Sequence, residues 1–518
     1  MKTPLSWVRN NRLRPDLLFE SDQLRVDLVG RSVRSGAVTI SGQIALLVVM
    51  TAQTMLLARI LAPEDFGLIA MVAVVVGLAN MLKEAGLQSA TVQQSEISRD
   101  QVTVLFWANV GLSVVITVVL AAVSPLLAAF YRSPQLVGIT LGLSVSFLCG
   151  GLSLQHAALL QRHMKFGAIA AAAVFAQITG LAVSLVMGLR GAGYWALVGG
   201  ALGAALASTA MTFYLCPWMP GRPRKTAGVG RMLGFGGYLT AFNFMNYFAR
   251  NGDNVLIGWR FGATELGFYS KAYNLMMLPI SQVSSPLSSV AVPALSRLSG
   301  DHGLMGRYYL KTLRLLSMIA SPIGAVCFAL SNEIIMIMLG PRWGPAIAPF
   351  RLLCIGGVFQ PLYFTQAWLH VATGNARRVF RWGLVATPVI LGSFVIGMIW
   401  GVNGVAAGYS AAIVILVGPA LGYGASSAGL KFVEIVRAVR WPLIACTIAA
   451  GLTTLIVQVP AAGWPLLARG IVGLAVFGVS YVLLLIKGFR DMRASEEIAA
   501  VLRHLRSGVA TADDYSSD

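Results

Sequence analysis

The chain has 518 residues, of which 57% are hydrophobic and only 11% charged, with a formal net charge of +19. Mean hydropathy is +0.74, which excludes a water-soluble globular protein, because most of such a surface would be unfavourable in water. The basic residues lie between apolar runs rather than in an aromatic-interleaved patch. This excludes nucleic acid as a partner and assigns the charge to membrane topology and anionic lipid.

In chain order, residues 1–36 carry charge throughout and lack an uninterrupted apolar stretch, so a cleaved signal peptide is not expected. Two readings stand for this cytoplasmic leader: a polar arm, or an interfacial helix with Leu17, Leu24 and Leu28 on one face. From Ala37 onward the hydropathy predicts about fourteen spans. They begin near Ala37, Leu68, Val104, Leu136, Ala168, Gly193, Met232, Leu266, Leu310, Ala346, Trp382, Val402, Trp441 and Pro465. The second is short, bounded by Pro63 and by Lys83 with Glu84.

The pattern predicts an all-α integral membrane protein. A six-helix lobe at 37–216 precedes a basic cytoplasmic linker at 217–231 and a second six-helix lobe at 232–422. A cytoplasmic connector at 423–440, two additional helices at 441–487 and a tail at 488–518 complete the chain. The tail carries an amphipathic stretch through Ile498, Val501, Leu502 and Leu505, then an acidic end at Asp513, Asp514 and Asp518. Most of the 39 Lys and Arg residues fall in alternate connectors and at the two ends. Arg59, Arg132, Arg190, Arg260, Arg342, Arg351 and Arg469 fall on the other side, so the charge bias predicts both termini in the cytoplasm.

An internal repeat runs through the two lobes. LARILAPEDFG ending at Gly67 returns as IGWRFGATELG ending at Gly267, an offset of about 200 residues. FYRSP at 130–134 corresponds to LGPRW at 339–343, and GAGYWALVGG from Gly191 to GVNGVAAGYS from Gly401. Six spans per repeat make the lobes parallel, related by an axis along the membrane normal, with a pathway expected at their interface. In the eighth span Pro279, Pro286 and Pro293 recur every seven residues. They are expected to bend it, with Ser281, Gln282, Ser284, Ser285, Ser288 and Ser289 satisfying loosened carbonyls.

The candidate site is a charged constellation on the seventh and eighth spans. Asn243, Asn246, Arg250, Asp253 and Asn254 recur at helical spacing, and Lys271 follows on the returning helix at similar depth. Exposed to hydrocarbon, any of these charges would cost about 3 kcal/mol. They therefore call for pairing or a wet cavity. Arg250, with Lys271, would attract an anionic head group, with Asn246 and Asn254 as further substrate-binding amides. Asp253 would hold the cations or take part in ion coupling; a static salt-bridge network is the alternative. Arg59 and Arg260 are candidate outer-mouth cations, and Lys83 with Glu84 a candidate inner gate.

No P-loop is present. His156, His163, His302, His370 and His504 are scattered, and the five cysteines show no paired spacing, so no metal site or cofactor is expected. The outer acids Glu64, Asp65, Glu265 and Glu333 belong to no substantial loop, which argues against an enzyme.

LARILAPEDFGLIAM, GLANMLKEAGLQSATVQ, GAGYWALVGG, LGPRW and the stretch from RNGDNVLIGWRFGATELGFYSKAYN to AVPALSRL together resemble the bacterial polysaccharide exporters of the Wzx type. The likeness is greatest to the colanic acid exporter branch of the multidrug, oligosaccharidyl-lipid and polysaccharide flippase superfamily. It covers roughly Arg31 to Arg490. What it implies is an alternating-access flippase of the bacterial inner membrane, moving undecaprenyl-pyrophosphate-linked oligosaccharide units from the cytoplasmic to the periplasmic leaflet for surface polysaccharide synthesis. A polysaccharide polymerase and assembly proteins would be partners, alongside membrane lipids. Related lipid II flippases engage pyrophosphate with cavity cations, a role the resemblance carries to Arg250. No residue pattern assigns a coupling ion. A drug or small-molecule antiporter of the same superfamily and a non-transporting subunit of the assembly machinery remain the other readings.

Overall fold

The computed structural model describes the backbone of residues 28–83, 91, 97–222, 237–458 and 463–489. Side chains are described over the same stretches except 28–40, 237–246, 249, 376, 458 and 489. Every regular element among the described residues is helical. The first helices are α1 (Leu28–Ile60), α2 (Pro63–Lys83), α3 (Arg99–Tyr131), α4 (Gln135–Arg162), α5 (Phe166–Leu189) and α6 (Tyr194–Leu215). Then come α7 (Gly237–Arg297), α8 (His302–Ala329), α9 (Ser331–Met338), α10 (Ile347–Phe364) and α11 (Gln366–Ala372). The last are α12 (Ala376–Gly397), α13 (Gly401–Ala425), α14 (Phe432–Gln458) and α15 (Leu466–Phe489).

Twelve described stretches are long and apolar enough to cross a membrane. Two of them, 250–297 and 377–428, contain a break at a positive-φ glycine: Gly262 at 87° and Gly401 at 74°. The all-α, many-pass architecture predicted from hydropathy is the one observed. The first described helix is already present at Leu28, ahead of the hydropathy rise at Ala37. The short second span is a full 21-residue helix.

Local signals explain the helix ends. In α2, Pro63 occupies the first turn, where its missing N–H costs nothing, and Asp65 accepts the N–H of Ala62 at 2.9 Å. At the head of α3, Ser98 and Gln101 exchange a reciprocal capping box. Asp301 caps α8 through the N–H of Leu304 at 2.9 Å.

The chain forms two compact units, Met1–Gly267 and Phe268–Asp518. In the first, α3 pairs with α4 and α5 with α6; α1 lies along α5, and α2 packs on α3, α4 and α6. The α5–α6 seam is made of small residues. A Cβ on Gly180 would lie 2.9 Å from Ala204 Cβ, and one on Gly200 would strike Ser184 Oγ. Such a seam substitutes close backbone approach for the hydrophobic drive that lipid cannot supply. The arm of α7 before Gly262 belongs to this unit: Tyr247 donates to the carbonyl of Val74 at 2.7 Å, and Gly258 packs against Tyr131 and Met71.

In the second unit α8 packs on α10 and α14, α10 on α13, α12 on α13 and α14 on α15. The α12–α13 seam repeats the first unit's design, with Gly397 against Gly404 and Gly408 against the Ser393 backbone. The turns closing the two seams both use left-handed glycines, Gly191 at 79° and Gly401 at 74°. The final hairpin is fastened by Tyr481, which donates to Met318 O at 2.9 Å, and by an Arg469–Glu333 ion pair at 3.9 Å.

Candidate functional site

The predicted residues on α7 fall on the two sides of Gly262. On the first arm Arg250 is exposed, whereas Asp253, three residues on, is only 1% exposed. Asp253 Oδ1 accepts the N–H of Asn254 at 2.8 Å. Asn254 Oδ1 is buried without a hydrogen-bond partner among the described residues. Asn251 donates to the carbonyl of Tyr247 at 2.9 Å. The side chains of Asn243 and Asn246, and the whole of Glu84, lie outside the described residues.

On the second arm Lys271 is half-buried, beside the fully buried Tyr269. This arm packs on its own unit through Gly357 against Met276 and Tyr273 against Tyr409, the ring centroids of the latter pair 5.7 Å apart. Away from those contacts the arm exposes Asn274, Ser281, Gln282, Ser285 and Ser289. Polar side chains on the open face of a membrane-spanning helix require water or a polar partner rather than hydrocarbon. Helical geometry continues through all three prolines, Gly262 being the only non-helical residue inside α7. Ser281 donates to Leu278 O at 2.9 Å and Ser289 to Pro286 O at 2.8 Å. The carbonyls that the prolines release belong to Leu275, Gln282 and Ser289, so these two bonds leave them for other donors.

The remaining candidates sit apart. Arg59 and Arg260 are exposed at the ends of α1 and the first α7 arm, close to a crossing in which Gly67 packs on Ala263 and Gly267 on Pro63. Trp259 beside Arg260 stacks on Phe130 with centroids 6.5 Å apart. Lys83 lies over the Phe147 ring at 5.9 Å and against Gly150 of α4. Among the described residues no group of three or more His, Cys, Asp and Glu could hold a metal ion.

Two features escaped the sequence reading. Tyr247 lies one turn before Arg250 and ties α7 to α2, with Gly77 leaving room for its hydroxyl. The polar stripe of the second arm was present as a serine-rich string, but only the structure separates exposed Ser285 and Ser289 from the half-buried Ser284 and Ser288.

The fold is that of multi-helix membrane transporters. It superposes on the lipid II flippase MurJ in an inward closed conformation with a TM-score of 0.68 at 14% identity, covering 89% of this chain and 99% of that one. It matches an inward-facing MATE-family multidrug resistance transporter of the MOP superfamily with a TM-score of 0.60 at 14% identity, covering 76% and 98%. The model of the polysaccharide biosynthesis protein family matches residues 56–348, more than half of the chain, and the chain belongs to that family. Among curated relatives, it is 27% identical to the lipopolysaccharide biosynthesis protein WzxC of Escherichia coli (strain K12), over 69% of this chain and 73% of the relative. It is 25% identical to the succinoglycan biosynthesis transport protein ExoT of Rhizobium meliloti, over 67% and 72%.

Proposed function

We propose that this protein is an alternating-access flippase that moves undecaprenyl-pyrophosphate-linked oligosaccharide units from the cytoplasmic to the periplasmic leaflet of a bacterial inner membrane. It would act in surface polysaccharide synthesis as a member of the Wzx-type, colanic acid exporter-like branch. The observation that carries the reading is the exposed polar face of the second α7 arm, Asn274 to Ser289, continuous along the helix with Lys271. A membrane helix with such a face lines a wet path. Membership of the polysaccharide biosynthesis family and likeness to WzxC and ExoT support a lipid-linked glycan as the cargo.

A pyrophosphate and its sugars lose hydration on leaving water, and fixed cations and amides offset that cost while the lipid tail stays in hydrocarbon. Arg250 and Lys271 are assigned to the pyrophosphate, with Asn246 and Asn254 supplying amide contacts. Asp253 holds the cations in place or takes part in ion coupling. Arg59 and Arg260 receive the head group at the outer mouth, and Lys83 with Glu84 forms an inner gate contact. The lobes at 37–216 and 232–422 are the two repeats, with both termini cytoplasmic. Access must alternate, since an open channel would dissipate ion gradients.

A drug antiporter is the second reading, favoured by the MATE likeness. The MurJ likeness takes in 89% of the chain against 76% for that MATE, which favours the flippase. Deletion of the gene is expected to leave lipid-linked oligosaccharide in the cytoplasmic leaflet, restored by the wild-type chain. Normal surface glycan with altered drug efflux would establish the antiporter, and rescue by a variant shown to be unable to flip lipid-linked sugar would establish a structural subunit.

A further inference from the structure

The polar stripe of α7 leaves unused a second concentration of charge, at the end of the second unit where α11 gives way to α12 and α13 to α14. Residues 375–440 contain six cations, Arg377, Arg378, Arg381, Lys431, Arg437 and Arg440, and one acid, Glu434. The acid is committed, since its Oε2 accepts the N–H of Lys431 at 2.8 Å. Arg378 clamps the group together: its Nη1 donates to Ser427 Oγ at 2.9 Å and Ser426 Oγ at 3.1 Å, and its guanidinium lies 5.7 Å from the Tyr423 ring centroid. The start of α12 is thereby held beside the turn that leads through Lys431 into α14.

Arg377, Arg381, Lys431, Arg437 and Arg440 are exposed. Three of the arginines sit in the first two turns of α12, which has no acid in its first turn and no side-chain cap. Cations there oppose the helix dipole, and an anion relieves both the dipole and the mutual repulsion. Directly along the same helices the surface turns apolar. Leu384 is 51% exposed on α12 and Ile444 46% on α14, each further along its helix than the arginines, while Ile415 of α13 is 65% exposed. The Phe432 ring lies 3.8 and 3.6 Å from where a Cβ on Gly418 and Gly422 of α13 would sit, so the start of α14 is anchored on α13. Leu384, Ile415 and Ile444 all fall in stretches long and apolar enough to cross a membrane.

We propose that this end of the second unit is a binding site for an anionic phospholipid. The phosphate lies against Arg377, Arg381 and Arg437, and the acyl chains run along Leu384, Ile415 and Ile444. Guanidinium forks match phosphate oxygens, and an apolar wall continuing from the cationic rim into membrane-spanning helices suits a lipid rather than a soluble phosphate or an acidic peptide.

The full chain in neutral detergent tests this by thermal unfolding and native mass spectrometry with phosphatidylglycerol and phosphatidylcholine of matched acyl chains. Phosphatidylglycerol is expected to stay bound and raise Tm, and phosphatidylcholine to do neither. Arg377→Gln, Arg381→Gln and Arg437→Gln combined should weaken phosphatidylglycerol binding about tenfold or more, with Arg342→Gln, an exposed cation elsewhere on the same unit, without effect. Equal stabilisation by the two lipids would overturn the proposal. So would undiminished binding to the triple variant, or equal stabilisation by inorganic phosphate. Should the triple variant not fold, Arg381→Gln alone carries the comparison, and the wild-type preference between the two lipids decides independently.

Discussion

Gly67 lies so close to Ala263 that a Cβ at position 67 would overlap the Ala263 carbonyl oxygen. The relation is reciprocal, because Gly267 is placed in the same way against the carbonyl of Pro63. Positions 63 and 67 are the repeat equivalents of 263 and 267, so the two copies of the duplicated turn meet by exchanging the same contact. That is how a local two-fold builds an interface from one surface patch used twice.

Gly67→Ala and Gly267→Ala should therefore each destabilise the protein, since backbone rather than a flexible side chain must give way. A loss of about 1–3 kcal/mol is expected, read as a lower Tm in detergent. Gly111→Ala, which meets nothing within 4 Å, should be neutral or mildly stabilising through helix propensity. Equal Tm values for all three variants would mean the crossing is looser than described.

Tyr247→Phe should cost about 0.5–1.5 kcal/mol by removing the hydroxyl that donates to Val74 O at 2.7 Å. Phe keeps the ring packing, so the loss isolates the hydrogen bond. An unchanged Tm would show that water replaces the partner at no cost.

The five cysteines are free and buried, which makes the native chain a silent background for thiol labelling. Cys216, next to the end of α6, is 0% exposed, and burial pushes its thiol up to about 12. The shift is upward, so the reactive thiolate is scarce throughout pH 7–9 and appears only toward pH 12. Maleimide should leave the folded chain unmodified over that range and react with all five cysteines after denaturation. Rapid labelling of Cys216 near neutral pH would contradict its placement.

On that background Ser285→Cys and Ser289→Cys should react with a membrane-impermeant maleimide, while Ile415→Cys, 65% exposed on α13, should not. The contrast separates a face open to water from one open to lipid, which exposure alone does not. Unreactive Ser285→Cys and Ser289→Cys would place the polar stripe out of contact with water.

Much of this architecture is written in the sequence because the membrane allows so few solutions. Long apolar runs must be helices, since no water is present to satisfy an open backbone. Glycines at the repeat turns could be read as turns because no other residue adopts φ near 80° as readily as Gly191, Gly262 and Gly401 do. Pro63 marks the boundary of the second span, but the span is expected to begin near Leu68, because the Asp65 cap on the Ala62 N–H lies in a stretch too polar for hydropathy to register. The long-range partners were not legible. Nothing in the string shows that Tyr247 would reach Val74, or that Lys83 would lie over Phe147, since both depend on which helices become neighbours. Nor does spacing reveal burial: Arg250 and Asp253 look alike at helical spacing, yet one is exposed and the other buried.

The most direct test of the proposed activity uses purified chain in proteoliposomes with a defined undecaprenyl-pyrophosphate-linked oligosaccharide, scored by accessibility of the sugar to an external probe. The wild-type chain should move the sugar across, and Arg250→Glu, folded to the wild-type Tm, should not. Transport undiminished in Arg250→Glu would remove the assigned cation from the mechanism. No movement of any lipid-linked sugar by the wild-type chain would contradict the flippase itself.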